Sequence, residues 1–182
     1  GSCVAQTMIK ILGIENFLEE GKFVRFSARD IYSQRENFPG VGMWTQNGAD
    51  IAYRKGSTLE QLMTSEKKDE ASMNDQSDRK TIDQQIALVG KAGNYISLGL
   101  KDMDLVASIV ASGKAVTLGV NLGNGDWATG EVKTRPDGIA GHLVAIVDVC
   151  LWKGRKAYVF DNSWGTGWGF GGQGVLTEDN LQ

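Results

Sequence analysis

Residues 141–169 read GHLVAIVDVCLWKGRKAYVFDNSWGTGWG. Two stretches in it, 143–151 (LVAIVDVCL) and 157–161 (AYVFD), are rich in β-branched and aromatic residues and poor in helix formers, which predicts strands. Upstream, 115–122 (AVTLGVNL) has the same character, with Gly, Asn, Asp and Lys between the runs. Before that, Asp104 to Ser112 has the spacing of a short helix closed by Gly113. The second half of the chain is therefore expected to be mainly β.

The first half reads differently. Ser2 stands in the N-cap place of a helix through Val4, Met8, Ile9, Ile11 and Leu12, where apolar residues recur at helical spacing. Ser27 with Asp30, and Ser57 with Glu60, each have the letters of a capping box before a short helix. Residues 64–80 (TSEKKDEASMNDQSDRK) are densely charged and nearly devoid of apolar side chains. That composition predicts a solvated loop or insertion. Helices first and strands later predict an α+β protein with two lobes, and a cleft between such lobes is a natural place for a site.

Composition narrows the classes of function. The chain has 182 residues, 41% hydrophobic and 23% charged, the balance of a globular protein with a sizeable core. A net charge of −3 without a basic stripe argues against a nucleic-acid partner. No apolar run approaches the roughly 20 residues that span a bilayer, so no membrane partner is expected. Two cysteines, Cys3 and Cys150, and one histidine are too few soft ligands for a zinc site, and no cofactor is implied. Counting does not decide whether the cysteines pair, but it excludes a disulfide framework and favours a reducing compartment. The run 169–174 (GFGGQG) has the letters of a dinucleotide fingerprint without the strand before it or the helix after it, and is read as tight turns.

A few side chains are suited to chemistry. His142 is the sole histidine, so any imidazole base is this one. It stands at the mouth of an apolar strand, where a histidine alone is more often structural. Cys3 falls where the first helix begins. There the helix dipole and unsatisfied N–H groups favour a thiolate, the attacking form of cysteine. Cys150, between Val149 and Leu151, has the context of an inert packed thiol. Asn162 follows the strand 157–161, where an amide oxygen can accept an imidazole N–H and fix the tautomer.

Three segments together resemble one family. Residues 1–6 (GSCVAQ) resemble the nucleophile segment of papain-like cysteine proteases, 141–149 (GHLVAIVDV) resemble that family's histidine strand, and 162–169 (NSWGTGWG) match its Asn-Ser-Trp-Gly block closely. The histidine and asparagine lie 139 and 159 residues after Cys3, near the family's spacing of roughly 130–150. SARDIY at 27–32 and GMW at 42–44 are weaker echoes. The resemblance implies a single two-lobed domain, mainly helical over 1–100 and mainly β over 101–182. The second lobe would be antiparallel and barrel-like, and the active site would lie in the cleft. It further implies Cys3 as nucleophile, His142 as its base, Asn162 as the group orienting the base, and Trp164 as cover for the His–Asn contact. Gly42 would offer main-chain hydrogen bonds to an extended peptide. Met43, Trp44, Ala140, Gly141 and Leu143 would complete substrate binding, with an apolar pocket next to the cleaved residue. The expected partner is a polypeptide substrate, besides the protein's own upstream pro-segment or a larger parent assembly.

The departures bear on activity. The family places a second oxyanion donor, a Gln, about six positions before the nucleophile, and the sequence starts two positions before Cys3. The expectation is a chain that lacks the upstream segment and is weakened without it. Val4 replaces the family's aromatic residue after the cysteine, and Gly141 replaces the polar residue often found before the histidine. The lack of framework cysteines favours an intracellular, bacterial or viral source. The reading is a cysteine endopeptidase acting through a thioester. The alternatives are another Cys-His acyltransferase or amidase, or a non-catalytic papain-fold binding or structural module.

Overall fold

A computed structural model describes residues 1–79, 81–82, 95–99, 102–122, 126–133 and 141–180. The chain divides into two compact units, Gly1–Ile96 and Ser97–Gln182.

The first unit is built on α1 (Cys3–Glu20), which buries Val4, Ala5, Met8, Ile11 and Leu12 at helical spacing. Gly21 ends it in the left-handed region, φ 69°, with its N–H on the Phe17 carbonyl. Ser2 occupies the N-cap place, but its side chain makes no capping hydrogen bond. Helix α2 (Ala28–Tyr32) is capped as the sequence suggests, since Ser27 accepts from the Asp30 N–H. The reciprocal half of the box is absent: Ser27 N–H goes to the Thr58 carbonyl, and the Asp30 carboxylate takes the Thr58 N–H instead. Helix α3 (Thr45–Arg54) approaches α1 at Gly48, where a side chain would run into Val4.

The Ser57–Glu60 pair heads no helix. Ser57 Oγ donates to the Ser27 and Thr58 carbonyls, and Glu60 accepts the N–H groups of Ser65 and Glu66. The letters of a capping box are satisfied here by other partners. Nor is the charged stretch a simple solvated loop. It contains α4 (Glu70–Met73), capped by Asp69, with Met73 buried. It is strapped to α2 by polar groups: Arg29 to Asp75 and Asp78, Arg79 to Asp30, Gln76 to the Ser33 carbonyl, and Tyr32 to Glu70. Arg29, Asp30 and Arg35 are buried, so the strap satisfies charges that would otherwise be costly.

The second unit packs α5 (Met103–Ala111) on a five-stranded sheet. Its strands are β1 (Val116–Val120), β2 (Glu131–Val132), β3 (His142–Trp152), β4 (Arg155–Asp161) and β5 (Gln173–Thr177), in the order β1-β3-β4-β5-β2. Pairing is antiparallel except between β2 and β5, which are parallel, so the sheet is mixed. Val106 and Val110 of α5 meet Val120, Val144, Ile146, Phe160 and Leu176 in the core. Tyr158 Oη donates to the Met103 carbonyl at 3.0 Å and ties the start of α5 to β4. Among the described residues no helix is long and apolar enough to cross a membrane.

Candidate active site

His142 opens β3, and the ladder sets it opposite Val120 of β1. In the β3–β4 hairpin Ala145 faces Asp161. The residue after β4, Asn162, therefore arrives at the level where β3 begins. The outcome is a hydrogen bond of 2.8 Å between His142 Nε2 and Asn162 Oδ1. Both side chains are buried, at 5% and 4% exposure. With Nε2–H donated to the amide oxygen, a neutral His142 keeps its lone pair on Nδ1, the tautomer of a base.

The asparagine is itself held. Its Oδ1 also accepts the Ser163 N–H at 2.8 Å, and its own N–H goes to the Gly172 carbonyl at 2.9 Å. Gly172 has φ 96°, and the Gly-rich run 169–174 turns the chain back into β5 around this bond. Those glycines thus serve turns that fix Asn162.

Aromatic rings enclose the pair. Trp164 stacks on the imidazole at 5.1 Å and 27°, and Trp127 stands edge-on to it at 5.7 Å and 85°. Trp164 is 43% exposed, so it roofs the contact with its outer face open to solvent. The sequence reading singled out Trp164 but missed Trp127 and Trp168. A clue existed: a tryptophan among the turn formers of NGDWATG has no local reason to be there unless something buries its ring.

Cys3 is the first residue of α1, and the first turn carries no acidic side chain. The dipole of an 18-residue helix thus acts on Cys3 without a carboxylate in that turn to oppose it. Cys3 and Cys150 form no disulfide. Cys150 lies in β3, where burial, and secondarily Asp148, push its thiol up from the ordinary range.

The remaining site candidates are less uniform. Gly42, at φ 85°, gives its N–H to Tyr32 Oη at 2.9 Å, and its carbonyl accepts from Asn37 Nδ2 at 3.2 Å. Its N–H is thus engaged within the unit rather than open to a peptide. Met43 and Leu143 are buried, Trp44 is 73% exposed and Gly141 is exposed. Trp44 lines a pocket together with Glu36, Asn37 and Asn47. Ala140 lies outside the described residues. Among the described residues no cluster of three or more His, Cys, Asp or Glu is placed to hold a metal ion.

Comparison with solved structures returns papain-like proteases. Procathepsin L 3 of the Tenebrio molitor larval midgut superposes with a TM-score of 0.73 at 16% identity, over 98% of this chain and 59% of that one. The proform of the ragweed pollen cysteine protease Amb a 11 gives 0.74 at 23% identity, over 99% and 54%. Xylellain, a cysteine protease from Xylella fastidiosa, gives 0.71 at 17% identity, over 98% and 74%. The chain thus spans little more than half the length of the first two. No curated protein sequence matches it. The family described as papain family cysteine protease matches residues 1–180. By that match over nearly its whole length, the chain belongs to the papain family of cysteine proteases.

Proposed function

We propose that the protein is a cysteine endopeptidase in which Cys3, His142 and Asn162 carry the reaction. The observation that supports this most is the buried His142–Asn162 hydrogen bond, formed by the sole histidine of the chain. In the proposed cycle the Cys3 thiol proton passes to His142 Nδ1, and Sγ attacks the peptide carbonyl carbon. The tetrahedral oxyanion collapses, the C–N bond breaks, and the imidazolium gives its proton to the leaving amine. Water then attacks the thioester with His142 as base. The acid product leaves and the thiol is regenerated. Asn162 keeps the imidazole in the tautomer that has Nδ1 as the base.

The substrate is a polypeptide. Structural neighbours include proforms, and a pro-segment of this protein's own is the other polypeptide partner that the reading allows. In this reading the exposed indoles of Trp44 and Trp164 and the exposed Gly141 touch the substrate, and Met43 and Leu143 are buried in their own units.

Cleavage of an unfolded polypeptide in heavy-oxygen water tests the proposal. One heavy oxygen is expected in each new C-terminal carboxylate, together with loss of all cleavage in Cys3→Ala. Acyl transfer to an added amine without oxygen incorporation would move the protein to the acyltransferases. Absence of any covalent adduct on Cys3 with a peptide ester would make it a binding module.

A further inference from the structure

In the first unit a polar cluster stands where the segment leading into Cys3, the end of α2 and the turn 40–42 meet. Tyr32, the last residue of α2, is fully buried, and its hydroxyl is engaged on both sides. It donates to Glu70 Oε1 of α4 and accepts the Gly42 N–H, the latter at 2.9 Å. A hydroxyl has one proton to donate, so the carboxylate that takes it leaves the lone pairs to face Gly42. Burial, and then the bond to Glu70, push the phenol up from its ordinary range, so it keeps that proton. Arg35, also buried, closes the other side. Its guanidinium carbon lies 3.8 Å over the Tyr32 ring, Nε donates to the Gly40 carbonyl at 2.9 Å and Nη2 to Asn74 Oδ1 at 2.7 Å. The Gly1 backbone passes directly over the same hydroxyl. A Cβ there would stand 2.6 Å from Tyr32 Oη and 2.8 Å from Gly42 N. Cys3 and Cys150 form no disulfide, so no covalent tie holds these segments together. Packing alone does not call for the hydroxyl, because Phe would fill the same space without either hydrogen bond.

We propose that Tyr32 is a positioning residue: its hydroxyl, aimed by Glu70, sets the backbone of Gly42 against the segment that leads into Cys3. This deepens the peptidase reading and rests on it for the roles of Cys3 and Gly42. A peptide held along Gly42 has to bring its carbonyl carbon to Cys3 Sγ, and a misplacement of about 1 Å costs about 100-fold in rate. With the Gly42 N–H turned inward, the carbonyl is the main-chain group that a peptide N–H can meet, since it keeps a second lone pair beside the bond from Asn37. Glu70 acts through Tyr32 and touches no reacting atom. The charged stretch 64–79 thereby bears on the reaction through the residue it supplies to this cluster.

Amide hydrogen exchange at Gly42, turnover of a peptide substrate and iodoacetamide alkylation mapped to Cys3 together test this. Iodoacetamide is small and needs no alignment along Gly42. In the unmodified protein the Gly42 N–H is expected to exchange slowly. In Tyr32→Phe its exchange should quicken by about tenfold or more, and in Glu70→Leu, which leaves the hydroxyl without its acceptor, by a smaller factor. Glu70→Gln keeps an oxygen for the hydroxyl and should stay within about threefold of the unmodified protein. Tyr32→Phe should lower kcat/KM by about tenfold or more, while alkylation of Cys3 stays within about twofold. Glu70→Gln should keep most of the turnover that Glu70→Leu loses. If Tyr32→Phe does not fold, the Glu70 pair decides by the same readings, since that side chain is partly exposed. A Gly42 amide that exchanges at the unprotected rate in the unmodified protein would overturn the proposal, as would unchanged exchange in a folded Tyr32→Phe. Faster exchange with kcat/KM within about twofold of the unmodified protein would also overturn it, by reducing the hydroxyl to a support of the fold. Turnover absent from the unmodified protein, with the exchange results as expected, would strike the peptidase reading and leave the hydroxyl as the group that places Gly42.

Discussion

Asn162 holds two donors with one oxygen, the His142 Nε2–H and the Ser163 N–H. Replacing it with Ala would leave the buried His142 donor and the part-buried Ser163 N–H without that acceptor. The loss at the buried His142 donor costs about 1–3 kcal/mol. Asn162→Ala should therefore lower stability in urea unfolding. It should also cut kcat by about 100-fold or more, because the imidazole loses its tautomer and its orientation. A variant within twofold of the parent in kcat would remove Asn162 from the machinery. The residues of this site differ in how far the sequence exposes them. His142 was visible by elimination and Asn162 by its motif. Trp127 was not, because its role is to pack against residues 15 to 41 positions away, and no local period records such a contact. Gly42 is a different case. Its place in a family-like motif suggested main-chain hydrogen bonds to a peptide, and within the first unit its N–H is given to the Tyr32 hydroxyl, a tertiary contact that no local pattern records.

At the scale of elements, local rules worked where the partners were local. The helix from Cys3, the cap at Ser27 and the helix before Gly113 all follow from spacing and end residues. The same letters at Ser57 and Glu60 misled, because their partners lie elsewhere in the chain. Residues 64–79 misled for a related reason. Their polarity suggested solvation, whereas it matches the buried charges of α2. Asp30 is the centre of that match. It is fully buried and accepts from Thr58 N–H, Gln34 and Arg79. Asp30→Ala would strip the buried Thr58 N–H of its acceptor and remove the carboxylate that Arg79 and Gln34 meet, and a buried donor left unsatisfied costs about 1–3 kcal/mol on its own. Urea unfolding should show a loss of that order. A loss under about 1 kcal/mol would mean that the strap is solvated after all.

For the whole molecule, the sequence pattern separated a helical first part from a β second part, since periods of 3.6 and 2 are local signals. It did not yield the strand order, or the parallel pairing of the short β2 with β5, because pairing between distant strands leaves no local trace. The family match over residues 1–180 accords with the resemblance drawn from three short motifs. What the chain does with its fold turns on which of its two thiols is reactive. Cys3 starts a long helix with no acid in the first turn, while burial and Asp148 push the Cys150 thiol up. At neutral pH Cys150 is thus almost wholly protonated, and its reactivity should grow only as pH rises past the ordinary thiol range. The decisive measurement is labelling of the native protein at neutral pH with a limiting amount of a thiol-directed epoxide, followed by mapping of the adduct. The account expects the label on Cys3 alone, lost in His142→Ala, with Cys150 labelled only as the pH is raised. Labelling of Cys150 ahead of Cys3 at neutral pH, or equal labelling of Cys3 with and without His142, would contradict it.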